Sequence, residues 1–164
     1  MTWSIVARDP QTGNFGIAVA TRFFAVGSLL PHIRGGQCAV ATQAFISPLW
    51  GMEAADRLAA GEAPEAVIAD LTARDRGQSQ RQIHMIDARG RIGAHTGAAC
   101  IDWCGQVQAE GVSVAGNMLA NERVIADTLA CYLDHPDLPF AERLLGAVEA
   151  GEAFEATPQN IAAR

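Results

Sequence analysis

Residues 2–21 restrict the architecture more than any other stretch of the chain. Thr2 to Arg8 is a β-prone run, Asp9-Pro10-Gln11-Thr12-Gly13-Asn14 concentrates turn formers, and Phe15 to Thr21 is a second β-prone run. Strand, turn, strand predicts a hairpin at the start. Both strands are apolar on both faces: Trp3, Ile5 and Ala7 alternate with Ser4 and Val6, and Ile17 and Val19 with Ala18 and Ala20. Such a sheet must be covered on both sides.

The remaining elements supply the cover. Gly35-Gly36 breaks the chain before a third strand over 37–45. Pro48 opens a helix over 49–60 with Trp50, Ala54, Ala55 and Leu58 on one face and Gly61 as its stop. Pro64 starts a second helix, with Val67, Ile68 and Leu71 as its buried stripe and an end near Arg76-Gly77. Ile83 and Met85 then alternate against Gln82, His84 and Ile86, and residues 87–90 turn the chain into a return strand over 91–96. A linker holding Trp103 and Gly105 leads to a strand over 111–115. Asn121 is an N-cap candidate for a helix carrying Val124, Ile125, Leu129 and Tyr132. A last helix carries Phe140, Leu144, Leu145 and Val148 and stops near Gly151. The order predicts one α/β (α+β) domain over residues 1–164, with three layers if the strands form one sheet and four if they form two.

Composition excludes several function classes. With 49% hydrophobic and 18% charged residues the chain is of globular type, and its net charge of −6 opposes nucleic-acid binding, which needs excess cations to displace phosphate counterions. The N-terminus lacks the basic stretch and apolar run of a secretory signal, and no segment approaches the ~20 apolar residues that span a bilayer. A cytoplasmic protein with no membrane partner is the expectation. Cys38, Cys100, Cys104 and Cys131 are then reduced thiols, and Cys100 with Cys104 lacks the second pair that a zinc site requires. Gly13-Asn14-Phe15-Gly16 joins two strands and opens no helix, so it is no phosphate loop. Neither metal nor cofactor is expected.

Several segments, taken as a set, resemble the DUF1028 family, which is grouped with the N-terminal nucleophile (Ntn) hydrolases. They are Thr2-Trp3-Ser4-Ile5-Val6-Ala7, Phe24-Ala25-Val26-Gly27-Ser28, Ala39-Val40-Ala41-Thr42-Gln43-Ala44, Arg81-Gln82, Ala94-His95-Thr96-Gly97-Ala98-Ala99-Cys100 and Gly116-Asn117-Met118-Leu119. The resemblance implies a four-layer αββα sandwich of Ntn-hydrolase type with two stacked antiparallel sheets. Family members continue past the last helix with a Gly-Gly-Asp-rich turn and further strands. Here the sequence reads Gly151-Glu152-Ala153-Phe154-Glu155-Ala156-Thr157-Pro158 and stops at Arg164, which implies a shortened C-terminus and an edge that a homo-oligomer would cover.

The resemblance also implies a chemistry. An Ntn hydrolase uses a Ser, Thr or Cys at the first position of the mature chain, whose own α-amine, with an unperturbed pKa near ~7.7–8.0, is the general base. Removal of Met1 would make Thr2 that residue, and a small second residue permits the removal. The catalytic candidates are Thr2, Arg22 and Asn117, with Thr21 a hairpin neighbour of Thr2 and the turn at Gly97 a second oxyanion candidate. Ser28, Gln43, His95, Thr96 and Gly97 are candidates for contact with a small-molecule substrate, an amide or peptide-like bond. Each has a plain structural alternative: Thr suits strands, Arg22 caps a strand end, His95 is a satisfied core histidine, and Gln43 and Asn117 hold backbone groups. The competing reading of the whole is an inert member of the fold that binds a ligand or assembles as an oligomer.

Overall fold

The structure, a computed structural model, describes residues 1–155. It is a mixed α+β fold of eight strands and four helices among those residues: β1 (Thr2–Arg8), β2 (Phe15–Thr21), β3 (Pro31–Arg34), β4 (Cys38–Ala44), α1 (Pro48–Ala59), α2 (Pro64–Arg74), β5 (Arg81–Asp87), β6 (Ile92–Thr96), β7 (Gly105–Ala109), β8 (Val112–Asn117), α3 (Arg123–Asp134) and α4 (Phe140–Glu155). The strands form two antiparallel four-stranded sheets, ordered β2-β1-β8-β7 and β3-β4-β5-β6. The initial hairpin has the predicted bounds. Its register sets Thr2 opposite Thr21 on one side and opposite Asn117 of β8 on the other.

Period-two alternation sorts every strand residue to an outer or an inner face. Trp3, Ile5, Val112 and Val114 face outward into a core completed by Val124, Ile125, Tyr132 and Leu144 of α3 and α4. Val40, Ile83 and Met85 face outward into a second core with Trp50, Leu58, Val67 and Leu71 of α1 and α2. The inner faces meet through Val6, Leu30, Ala39, Ala41 and Ile86. The packing order is therefore helices, sheet, sheet, helices, which buries the central strands β1, β4, β5 and β8 on both faces and leaves β2, at a sheet edge, half-buried.

The first two helices begin where predicted, at Pro48 and Pro64. The Ser47 hydroxyl accepts the Trp50 N–H at 3.3 Å and caps α1, with Pro48 in its first turn. At α3 the cap position is Glu122, one residue past the expected Asn121, whose side chain nonetheless accepts the Arg123 N–H at 2.9 Å. One expectation for the last helix fails. It runs through Gly151 to Glu155, because Gly151 serves close packing: a Cβ there would lie 2.4 Å from Thr128 Oγ1 and 2.8 Å from Trp3 Nε1. Of the apolar residues it carries, Leu144 and Val148 are buried together with Ala147, and Leu145 is exposed. Two strands went unpredicted. β3 is a four-residue edge strand, and β7 alternates half-buried and exposed residues, so the stretch read as a linker pairs with β8. The altered C-terminal stretch extends into residues 156–164, outside the described residues.

Candidate functional site

Thr2 begins a central strand with its side chain on the inner face, level with Thr21 and Asn117. Its hydroxyl lies 2.8 Å from Thr21 Oγ1 and 2.8 Å from the Met1 carbonyl oxygen, to which Thr21 also donates at 3.0 Å. A cavity of about 240 Å³ opens beside it, bounded by Met1, Arg22, Gln43, Ala44, Asn117 and Met118 among others. A second cavity, of about 370 Å³, shares Ala44, Asn117 and Met118 with the first.

Both shared strand ends carry strained backbone. Ala44, the last residue of β4, has φ of 62°, and Met118, just past β8, has φ of 57°. Non-glycine residues seldom adopt left-handed φ, and such strain concentrates at binding and catalytic sites. The two strained residues line the same cavities from opposite sheets.

Behind the cavity a buried polar network spans the two sheets. Its direction follows from its backbone partners. Gln43 Nε2 lies 3.1 Å from the Ala115 carbonyl, so the nitrogen donates there and the Gln43 oxygen faces Ser4. Ser4 donates its one hydroxyl proton to that oxygen at 2.7 Å and accepts from His84 Nε2 at 2.8 Å. His84 is therefore protonated on Nε2, and its Nδ1 accepts the Ser113 hydroxyl at 3.0 Å. Complete burial holds the His84 imidazole neutral, its pKa lowered to about 3. Gln43 Nε2 also donates to Gln82 Oε1 at 2.7 Å, and Asn117 Nδ2 donates to the same oxygen at 3.0 Å. Gln82 Nε2 faces the carbonyls of Gly105 and Gly116 and the Thr96 hydroxyl.

The structure thus gathers Thr2, Thr21, Arg22, Gln43 and Asn117 around one cavity, and ties Thr96 to it through Gln82. It sets the remaining candidates apart. Ser28 is exposed and donates to the Ala25 carbonyl at 2.8 Å, closing a short turn. His95 sits one residue from Thr96 and so faces the helices: its Nε2 donates to the Gln78 carbonyl at 3.0 Å and its ring lies 6.2 Å from that of Trp50. Gly97 is a packing glycine, since a Cβ would meet the Ser79 carbonyl oxygen at 2.3 Å. Ser4, His84, Gln82 and Ser113 escaped notice as a network. Their alternation against Ile83 and Met85 was visible, but only the facing sheet makes that row buried.

No cluster of three His, Cys, Asp or Glu is placed to hold a metal among the described residues, and no helix there is long and apolar enough to cross a membrane. Burial raises the pKa of the free thiols Cys100 and Cys104, so neither resembles an activated nucleophile.

The chain superposes on a crystal structure of a DUF1028 protein from Silicibacter pomeroyi with a TM-score of 0.89 and 34% identity, covering 93% of this chain and 67% of that one. No functionally curated protein matches it. The model of DUF1028, a family of unknown function, matches residues 2–155, and the chain belongs to that family.

Proposed function

We propose that the protein is an amidohydrolase of the N-terminal nucleophile type, built as an αββα sandwich of that type, with Thr2 as nucleophile once Met1 is removed. The observation that carries the reading is the position of Thr2. It is the first residue of a central strand, on the inner face, at a cavity shared with Arg22, Gln43 and Asn117.

In this mechanism the Thr2 α-amine takes the hydroxyl proton as Thr2 Oγ1 attacks the amide carbonyl. The oxyanion that develops is held by Asn117 Nδ2, one of whose hydrogens is already given to Gln82. That bond fixes the amide before substrate arrives, so little reorganisation accompanies the reaction. The amine then returns the proton to the leaving nitrogen, and water hydrolyses the Thr2 ester. Thr21 Oγ1, at 2.8 Å, holds the nucleophile's rotamer. Loss of Met1 removes the carbonyl to which both threonines donate and opens the cavity it helps to line.

The test is mass spectrometry of protein lacking Met1 after treatment with a reactive β-lactone. An adduct on Thr2, absent from Thr2→Ala, is the expected result. A chain that lacks Met1 and stays unlabelled at Thr2 would overturn the reading and leave an inert ligand-binding member of the fold.

A further inference from the structure

The cavity that holds Thr2 does not end at Asn117. Ala44, Asn117 and Met118 are common to it and to the larger neighbour, which is lined chiefly by Phe45, Ala99, Cys100, Ile101 and Met118 and by no charged residue. Phe45 and Ile101 are exposed large apolar side chains, at 64% and 62%, grouped where a pocket already exists. Such grouping marks a binding surface. At ~30 Å³ per non-hydrogen atom, by analogy with liquid water, this cavity accepts roughly a dozen atoms.

The opposite end of the cleft differs in charge. Arg22 lines the Thr2 cavity, and no carboxylate lines either cavity. Arg34, Arg57, Arg74, Arg81, Arg91 and Arg123 pair with carboxylates, whereas Arg22 is among the described arginines that no ion pair holds, and of those it is the one that lines this cleft. An uncompensated guanidinium at a site's rim suits a substrate carboxylate, which it grips in bidentate fashion. Arg22 is exposed, so an amino acid held there departs directly to solvent, whereas an acyl group keeps its apolar contacts with Phe45, Ile101 and Met118 while the ester stands. The arginine end is therefore the leaving-amine end.

We infer that the joined cavities form one cleft for an N-acyl amino acid, its apolar acyl group beside Phe45, Ile101 and Met118 and its carboxylate on Arg22. The inference rests on Thr2 as nucleophile. Thr2 Oγ1 bonds to the acyl carbon as the C–N bond breaks, the hydroxyl proton leaves with the amino acid's nitrogen, and water then releases the fatty acid and restores the hydroxyl.

The experiment compares N-acetylglycine, N-octanoylglycine and N-octanoylglycinamide as substrates of the chain lacking Met1, and as calorimetric ligands of Thr2→Ala. Expected are a gain in kcat/KM of about fourfold per added methylene up to the filled cavity, and a loss of about tenfold for the glycinamide. Arg22→Gln, at an exposed position, should erase the second difference, and Ile101→Asp the first. Binding to Thr2→Ala with both dependences but no turnover by the parent supports the cleft and overturns the nucleophile. Thr2 labelled by the β-lactone, with no binding or no dependence on chain length and carboxylate, overturns the cleft and spares the nucleophile.

Discussion

Val6, Leu30, Ala39, Ala41 and Ile86 fill one end of the layer between the sheets, and Ser4, Gln43, Gln82, His84 and Asn117 fill the other. Both ends are buried, yet they hold the sheets together differently. At the apolar end burial is non-directional, so the sheets are held at a distance but not to a particular side-chain orientation. At the polar end each donor has one acceptor geometry, and a missing partner leaves a buried group unsatisfied. The polar end is also the end with the cavity. The difference teaches that orientation is concentrated where the candidate chemistry needs it, with Asn117 held by Gln82 and Gln82 by backbone carbonyls of two strands.

The largest effect should come from Gln82→Leu. The change strips partners from Gln43 Nε2, Asn117 Nδ2 and the Gly105 and Gly116 carbonyls at once. At ~1–3 kcal/mol per orphaned group, with some relaxation, roughly 4–6 kcal/mol of stability is lost. Ile86→Ala should cost about 3 kcal/mol through its cavity. Chemical denaturation gives both numbers. The sharper contrast is functional: β-lactone labelling of Thr2 should slow at least tenfold in the glutamine variant, through the freed Asn117, and change less than twofold in the isoleucine variant. Equal slowing in both would erase the distinction between the two ends.

A smaller effect separates the ends by pH. His84 is neutral when buried, with its pKa lowered to about 3, against ~6.5 in the unfolded chain. Below pH 6.5 the unfolded state binds the proton that the native state refuses, so stability is full above 6.5 and falls as pH drops toward 3. Each pH unit within that window costs about 1.4 kcal/mol, so the step from pH 7 to 5 costs about 2 kcal/mol. Half-buried His32, also shifted down by burial, acts in the same direction. His84→Gln should flatten most of this slope, whereas Ile86→Ala should leave the slope intact and lower the whole curve. A His84→Gln profile as steep as the parent's would remove the polar end from the acid response.

Much of this arrangement was legible in the sequence, and the illegible part has a physical reason. The β1–β2 hairpin could be bounded because a dense turn separates two apolar runs, and α1 because Pro48 and Trp50, Ala54, Ala55 and Leu58 fix its start and face. Alternation also forbids His95 and Thr96 from sharing a cleft, a constraint present in the sequence and not used there. What alternation leaves open is which side of Gln82 and His84 meets another sheet and which meets water, since that depends on strands far along the chain. β7 was hidden for the same reason: Gln106 and Gln108 are its exposed face, and the pairing with β8 that makes it a strand is a tertiary fact. Gly151 misled because the same lack of a Cβ serves both a helix stop and a close helix crossing.

The smallest expected effect concerns Ser28, whose family segment gave it a place among the substrate contacts. Its hydroxyl donates to the Ala25 carbonyl from an exposed position, and Ala25 itself has φ of 54°, so the bond steadies a strained turn that reaches the cavity through Val26 and not through Ser28. Ser28→Ala should lower stability by less than about 1 kcal/mol, the range of an exposed hydrogen bond, and leave Thr2 labelling unchanged. Gln43→Ala is the proper counterpart, because Gln43 stands in the cavity wall and joins Ser4 to Gln82. If Ser28→Ala slowed labelling as much as Gln43→Ala, the 26–28 turn would have to position the Thr2 cavity through Val26 as firmly as Gln43 does. The cleft would then depend on a wall that the polar network does not hold.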